Sequence, residues 1–314
     1  MGVFSIMNNR NLKYGSLVSL FLTILTFSQA SLAQRFALPT PGNDLIGQSQ
    51  LVYAKDNETL ADVGRRYDVG YYEIVNANPG VSPVKRLNSS NKVIIPSQMI
   101  LPPGPREGIV INLAELRLFY FPVGANYVIT YPIGIGREGG WETPEGETVI
   151  TAKEENPIWH PTDHVRAEAA KNGYPIPKTF PPGPDNPLGN HLFRLRWPTY
   201  LIHGTNQIQS VGGRVSAGCV RLFPSAIKQL YSAVPVGTKV RVVNLAYKTG
   251  WSHGALYLEA HPPLAEHENH RQSDIATVRQ SVTQLARARR LAVQWETFKV
   301  ATARQTGVPV VVGS

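Results

Sequence analysis

The chain has 314 residues, room for two or three domains, and its 42% hydrophobic and 17% charged content excludes an intrinsically disordered polymer. The formal net charge is +9, but the basic residues are scattered apart from a run at Arg287–Arg290. The surplus therefore suits a carboxylate-rich or other anionic partner better than nucleic acid. The single cysteine, Cys219, rules out an intrachain disulfide framework.

Arg10 and Lys13 precede an apolar run from Leu17 to Phe27, and Ser31 and Ala33 form a small-residue cleavage pattern. Residues 1–33 thus read as a secretory signal peptide cut after Ala33, with an apolar run too short for a membrane span. Export places the remainder among oxidants, so Cys219 must persist as a free thiol or pair with another molecule. "RFALPTPGNDLIGQSQ" follows as a lead-in without periodicity.

Between 50 and 98 the pattern changes. "QLVYA" alternates like a strand, and Leu60, Val63 and Tyr67 share one helical face. A second short helix around Ile74 and Val75 ends at Asn78-Pro79-Gly80, and "KVIIP" supplies a closing strand. This β-α-α-β unit, with "NETLADVGRRY", "NANPG" and "VIIP", resembles a LysM-type module, and the resemblance implies binding to peptidoglycan.

"PSQMILPPGPREG" reads as a semi-rigid proline-rich linker. From 107 to 244 short alternating strands recur: "IVINLAELRLFYF" as a hairpin, then "YVITYPIGIG", "ETVITAKEE", "HLFRLRWPTYLIHG" and "GTKVRVV". They indicate a mainly β domain of sandwich or barrel type. The stretch 161–189 interrupts this rhythm with many prolines and glycines, as an active-site lid would. Residues 245–314 read as a C-terminal helical segment, with Ile275, Val278, Val282 and Leu285 on one face and Arg279, Arg287, Arg289 and Arg290 on the basic face. His160, His164, His191 and His253 have no metal-ligand spacing.

Chemistry concentrates around "RVSAGCVRLFP". A cysteine nucleophile needs a base and oxyanion donors. His203 ends an apolar strand sixteen residues before Cys219 and is followed by Gly204. A core histidine held by a backbone carbonyl has the same sequence appearance. Gly218 permits a sharp turn beside the sulfur. Arg221, two residues on, is placed to lower the thiol pKa and to grip a carboxylate.

"IHGTN…RVSAGCVRL", together with "EGIVINLAELRLFYFP", "PIGIGREG" and "PPGPDNPLG", resembles the L,D-transpeptidases with a YkuD-type catalytic domain. It is most similar to the periplasmic branch that anchors the Braun-type lipoprotein. The resemblance implies Cys219 as nucleophile, His203 as general acid/base and the Gly204 carbonyl as the group orienting the imidazole. It places Ser216, Gly218 and Arg221 at oxyanion or substrate-binding positions. It implies peptidoglycan as substrate, an amine acceptor such as a lipoprotein lysine or a second diaminopimelate, and no metal or organic cofactor. Many members carry a second histidine directly before the Gly-Cys pair, where this chain has Ala217. A hydrolase on the same scaffold and a catalytically silent wall-binding protein are the alternatives.

Overall fold

A computed structural model describes residues 34–314. The signal-peptide reading of 1–33 lies outside the described residues. The fold is mainly β, and its centre is a nine-stranded sheet. From one edge the strands are Gln34–Ala37, Tyr127–Pro132, Arg117–Phe121, Gly108–Asn112, Lys239–Val243, Gly146–Glu155, His191–Leu195, Leu201–His203 and Val220–Arg221.

The middle strands carry almost unbroken apolar runs because both faces of the sheet are covered. On one face Ile109, Ile111, Leu118, Tyr120 and Tyr131 pack against Ile227 and Leu230 of the helix Pro224–Ala233. The alternate residues Val110, Phe119, Phe121 and Val128 face the other way, onto Ile46, Met99 and Leu101. The sheet also bends. Gly146–Glu155 pairs through its first residues with Lys239–Val243 and through its last with His191–Leu195, and its register slips between Ile150 and Ala152. Such an irregularity curls a sheet and re-aims the strands beyond it. Here those strands carry His203 and Arg221.

The unit after the lead-in has the β-α-α-β order expected from sequence. Gln50–Tyr53 pairs with Lys92–Ile95, and the helices Leu60–Arg66 and Tyr71–Ala77 lie between them. Thr59 and Asp62 cap the first helix reciprocally, satisfying amides that would otherwise lack partners.

Three segments depart from the sequence reading. The featureless lead-in forms two strands: Gln34–Ala37 closes one edge of the large sheet, and Leu45–Gly47 pairs with Gln98–Ile100. The expected linker is therefore partly core, with Met99, Ile100 and Leu101 each no more than 3% exposed. Its prolines stop local periodicity without stopping burial. The C-terminal segment is not helical alone. Tyr247–Ser252, Ala255–Ala260 and Val310–Gly313 form a three-stranded sheet on which the helices Arg271–Ala288 and Trp295–Arg304 pack. Val278 and Val282 are buried there as their spacing requires, while Arg279 and Arg289 lie over the rings of Trp295 and Trp251.

A buried ion network ties these parts together. The Lys248 ammonium reaches the Ile100 carbonyl at 2.5 Å, Glu115 at 2.5 Å and Glu259 at 3.0 Å. Burial would push both carboxyls up. At Glu259 the Lys248 charge and the His261 hydrogen bond prevail and hold the group ionised. At Glu115 burial prevails, and the Glu259 charge adds to it.

Candidate functional site

The strand Leu201–His203 lies parallel to Val220–Arg221, with Ile202 opposite Val220 and His203 opposite Arg221. Parallel neighbours cannot be joined by a tight turn. The intervening chain instead makes a 3-10 turn at Ile208–Ser210, then the short strand Arg214–Ser216, which pairs with Ile135–Gly136. Cys219 consequently enters its strand beside the one that ends in His203. Both residues line a cleft of about 570 Å³, together with Ser216, Ala217, Arg221, Tyr200, Trp141 and Trp159.

His203 is 3% exposed, and its Nδ1 lies 2.5 Å from the Gly204 carbonyl oxygen. In that contact the Nδ1–H donates, which leaves Nε2 with a free lone pair. Burial and the nearby Arg221 charge push the imidazole pKa down to about 3, against the smaller opposing pull of the Gly204 and Leu188 carbonyls. The imidazole is therefore neutral throughout the physiological range.

Cys219 is half-buried, and its thiol donates to the Thr199 carbonyl over 3.6 Å. Burial raises the thiol pKa, while the Leu201 N–H and the Arg221 charge pull it down without overcoming burial. The expectation that Arg221 leaves a depressed thiol is corrected on this point: its charge acts in that direction, but the desolvated setting dominates. The thiol and the imidazole are thus both uncharged at neutral pH.

Gly218 turns the chain at φ +97°, and a methyl group there would sit 2.7 Å from Cε1 of Tyr200. Only glycine meets both constraints without strain. Its carbonyl accepts a 2.9 Å bond from the Thr143 hydroxyl, whose oxygen accepts from the Gly136 N–H at 3.0 Å. The Ser216 hydroxyl donates to the Cys219 carbonyl at 2.6 Å. With these carbonyls fixed, the amides of the turn are fixed too. Among the described residues neither the Gly218 nor the Cys219 N–H has a protein acceptor, so both are free to meet an oxyanion.

Arg221 is tied through its main chain to Gly134, by bonds of 2.9 and 2.8 Å, and its Nη1 donates to Gln207 at 3.3 Å. Its Nε is enclosed without an acceptor, and among the described residues no carboxylate pairs with this guanidinium. A largely enclosed cation without a protein counter-ion is a fitting place for a ligand's anionic group.

The 161–189 stretch supplies one wall of the cleft. Trp141 stacks on His164 with centroids 4.1 Å apart, Arg137 lies 4.2 Å over Trp141, and Arg137 pairs with Glu168 on the helix Asp163–Lys171. Buried Asn186 pins the return of the loop by donating to the Pro157, Phe180 and Pro181 carbonyls. Thr143, Thr199, Tyr200, Arg137 and Trp141 escaped the sequence reading. Thr199, a β-branched residue at φ +67°, carries the carbonyl facing the thiol. Nothing local in "RWPTY" announces that conformation.

The family model for the L,D-transpeptidase catalytic domain, YkuD, matches residues 106–242. Over 260 residues the chain is 43% identical to the probable L,D-transpeptidase YcfS of Escherichia coli K12, covering 79% of this chain and 81% of that protein. The chain belongs to the L,D-transpeptidase family. A second relative, the probable L,D-transpeptidase ErfK/SrfK of the same strain, is 39% identical over 297 residues, 93% of this chain and 94% of its own length. The ErfK/SrfK protein of Salmonella typhimurium LT2 is 41% identical over 255 residues, covering 80% and 82%. An L,D-transpeptidase is an acyltransferase that acts on peptidoglycan.

Among the described residues one group, Glu115, Glu259 and His261, brings three metal-type donor atoms within 4.8 Å of one another. Lys248 already engages the same carboxylate oxygens, at 2.5 and 3.0 Å, and supplies the positive charge there.

Proposed function

We propose that this L,D-transpeptidase works through a cysteine thioester formed at Cys219. The observation that carries the reading is the convergence of a free thiol and a neutral buried histidine on one cleft, beside an unpaired arginine. In the first half-reaction Cys219 attacks the meso-diaminopimelate carbonyl of a donor tetrapeptide stem. His203 takes the thiol proton and gives it to the departing D-alanine amine, so a C–S bond forms as a C–N bond breaks. The Gly218 and Cys219 amides receive the oxyanion, and Arg221 holds a carboxylate of the stem. The Gly204 carbonyl keeps the imidazole in the tautomer this transfer requires.

In the second half-reaction an acceptor amine, deprotonated by His203, attacks the thioester and regenerates the thiol. The acceptor is a lipoprotein C-terminal lysine or a second diaminopimelate, with the 161–189 wall restricting water. Residues 50–98 act as a LysM-like peptidoglycan-binding module, and the mature enzyme works in the periplasm after removal of 1–33. No helix among the described residues is long and apolar enough to cross a membrane.

The test is incubation of a disaccharide-tetrapeptide with the enzyme, with and without an amine acceptor, and mass analysis of products and protein. The expected result is a thioester adduct on wild-type enzyme, an amide product with acceptor, and neither with Cys219→Ala. Free tripeptide without any transfer product would show a hydrolase instead. Product formation by Cys219→Ala would overturn the assignment.

A further inference from the structure

The 50–98 unit meets the catalytic domain at the start of its second helix. Its second helix begins at Gly70, and the Glu73 carboxylate accepts from the Gly70 N–H at 2.7 Å, closing the first turn. That turn sits on Gly212. The Tyr72 N–H donates to the Gly212 carbonyl at 3.1 Å, and a methyl group at Gly212 would lie 2.1 Å from the Tyr71 nitrogen and 2.6 Å from Gly70. Gly212 also has φ +84°, so both its conformation and its surroundings exclude a side chain. The Glu73 Oε1 atom additionally accepts from Arg117 Nε at 2.7 Å, and Arg117, on the central sheet and 1% exposed, donates to Thr130 at 2.9 Å. A single carboxylate therefore caps the helix of one unit and neutralises a buried cation of the other.

From Gly212 a short run of main-chain bonds leads to the nucleophile. The Gly212 N–H donates to the Ile133 carbonyl at 3.0 Å, and the Ile135 N–H to the Gly213 carbonyl at 2.9 Å. In the same segment Gly134 exchanges two bonds with Arg221, and the Arg137 N–H donates to the Ser216 carbonyl at 3.1 Å. Ser216 in turn donates to the Cys219 carbonyl at 2.6 Å. The strip 132–137 is thus clamped on one side by the helix turn and on the other side holds Ser216 and Arg221.

We propose that Glu73 and Gly212 are positioning residues for Cys219, so that the 50–98 unit forms part of the scaffold that aims the nucleophile. The inference rests on Cys219 as the reactive thiol, and its first readout requires no substrate. Glu73→Gln keeps the side-chain shape but leaves Arg117 buried opposite a neutral partner. Glu58→Gln is the control, since Glu58 pairs with Arg66 within the 50–98 unit.

In the full-length protein, the second-order rate of Cys219 alkylation by iodoacetamide is measured from pH 6 to 10. With Glu73→Gln the profile is expected to shift, with at least about a threefold change in rate at pH 7.5, and Glu58→Gln is expected to follow the wild type. In acyl transfer kcat is expected to fall about tenfold for Glu73→Gln with KM within twofold, because misaimed reactants lose rate more than binding. Glu73→Asp is expected to recover part of both. The proposal is overturned if the Glu73→Gln alkylation profile superimposes on wild type, or if Glu58→Gln shifts it equally. Absence of turnover in the wild type, with the alkylation shift intact, would sink the acyl-transfer reading while sustaining the positioning role. Should Glu73→Gln fail to fold, Tyr72→Ala, which removes an exposed ring beside the same contact, is expected to leave the profile unchanged, and Gly212→Ala to shift it.

Discussion

Acidification should destabilise the native protein through His203 in a way that can be isolated. Burial and Arg221 push its pKa from an ordinary value near 6.5 to about 3, so the native state refuses a proton that the unfolded chain accepts. Where the native pKa is lower than the unfolded one, stability is fully present above the unfolded value and is lost as pH falls towards the native value. Between pH 7 and 5 the loss is set by the 1.5 units below 6.5, at 1.36 kcal/mol per unit, or about 2 kcal/mol from this residue alone. Other groups titrate in the same window, so the measurement is a comparison. Urea denaturation of wild type and His203→Gln is followed at pH 7 and at pH 5, and the wild type should lose about 2 kcal/mol more than the variant. The His203 Cε1 resonance should stay at its neutral position down to pH 5. Parallel losses in the two proteins, or a His203 resonance titrating near 6.5, would refute the argument for a neutral buried base.

Gly218→Ala places a methyl 2.7 Å from Tyr200 at φ +97°, a conformational strain of about 1–3 kcal/mol. Thioester formation should slow by about tenfold or more, read as the single-turnover rate in mass spectrometry, and Tyr200→Ala should restore only the steric part. Arg221→Gln removes a cation that has no carboxylate partner among the described residues. The KM for donor peptide should rise about tenfold or more at low salt, with a smaller gap at high salt as screening weakens the wild-type attraction. Lys248→Met leaves Glu115 and Glu259 buried without their shared ammonium, costing about 3–5 kcal/mol in chemical denaturation. Adding Glu115→Gln to that variant should recover part of the loss.

The features legible in the sequence were those with local grammar. The hairpin 109–121 and the β-α-α-β order of 50–98 each follow from periodicity and breakers over short stretches. The strand that ends in His203 was legible from its apolar run, but its parallel pairing with Val220–Arg221 depends on the crossover between them and has no local signature. What the sequence concealed depends on partners far along the chain. Gln34–Ala37 is a four-residue strand whose pairing with Tyr127–Thr130 no local pattern encodes. Met99–Leu101 stands among prolines yet fills the core behind Phe119. Thr143 looks like any turn residue, and its contact with Gly218 exists only because the 136–143 loop folds back over the turn before Cys219. Glu73 reads as an ordinary helix-start acid until Arg117 is brought beneath it.

The edge strand Gln34–Ala37 has a practical consequence for anyone excising the transpeptidase segment. A chain cut to 106–242 would leave residues 127–130 of the strand Tyr127–Pro132 without their outer partner. It would also strip Ile46, Met99 and Leu101 from the apolar face formed by Val110, Phe119 and Val128. An unpaired strand beside bare hydrophobic surface recruits the same strand of another molecule. The shortest piece expected to remain monomeric in solution therefore starts no later than Gln34, well outside the stretch that defines the family.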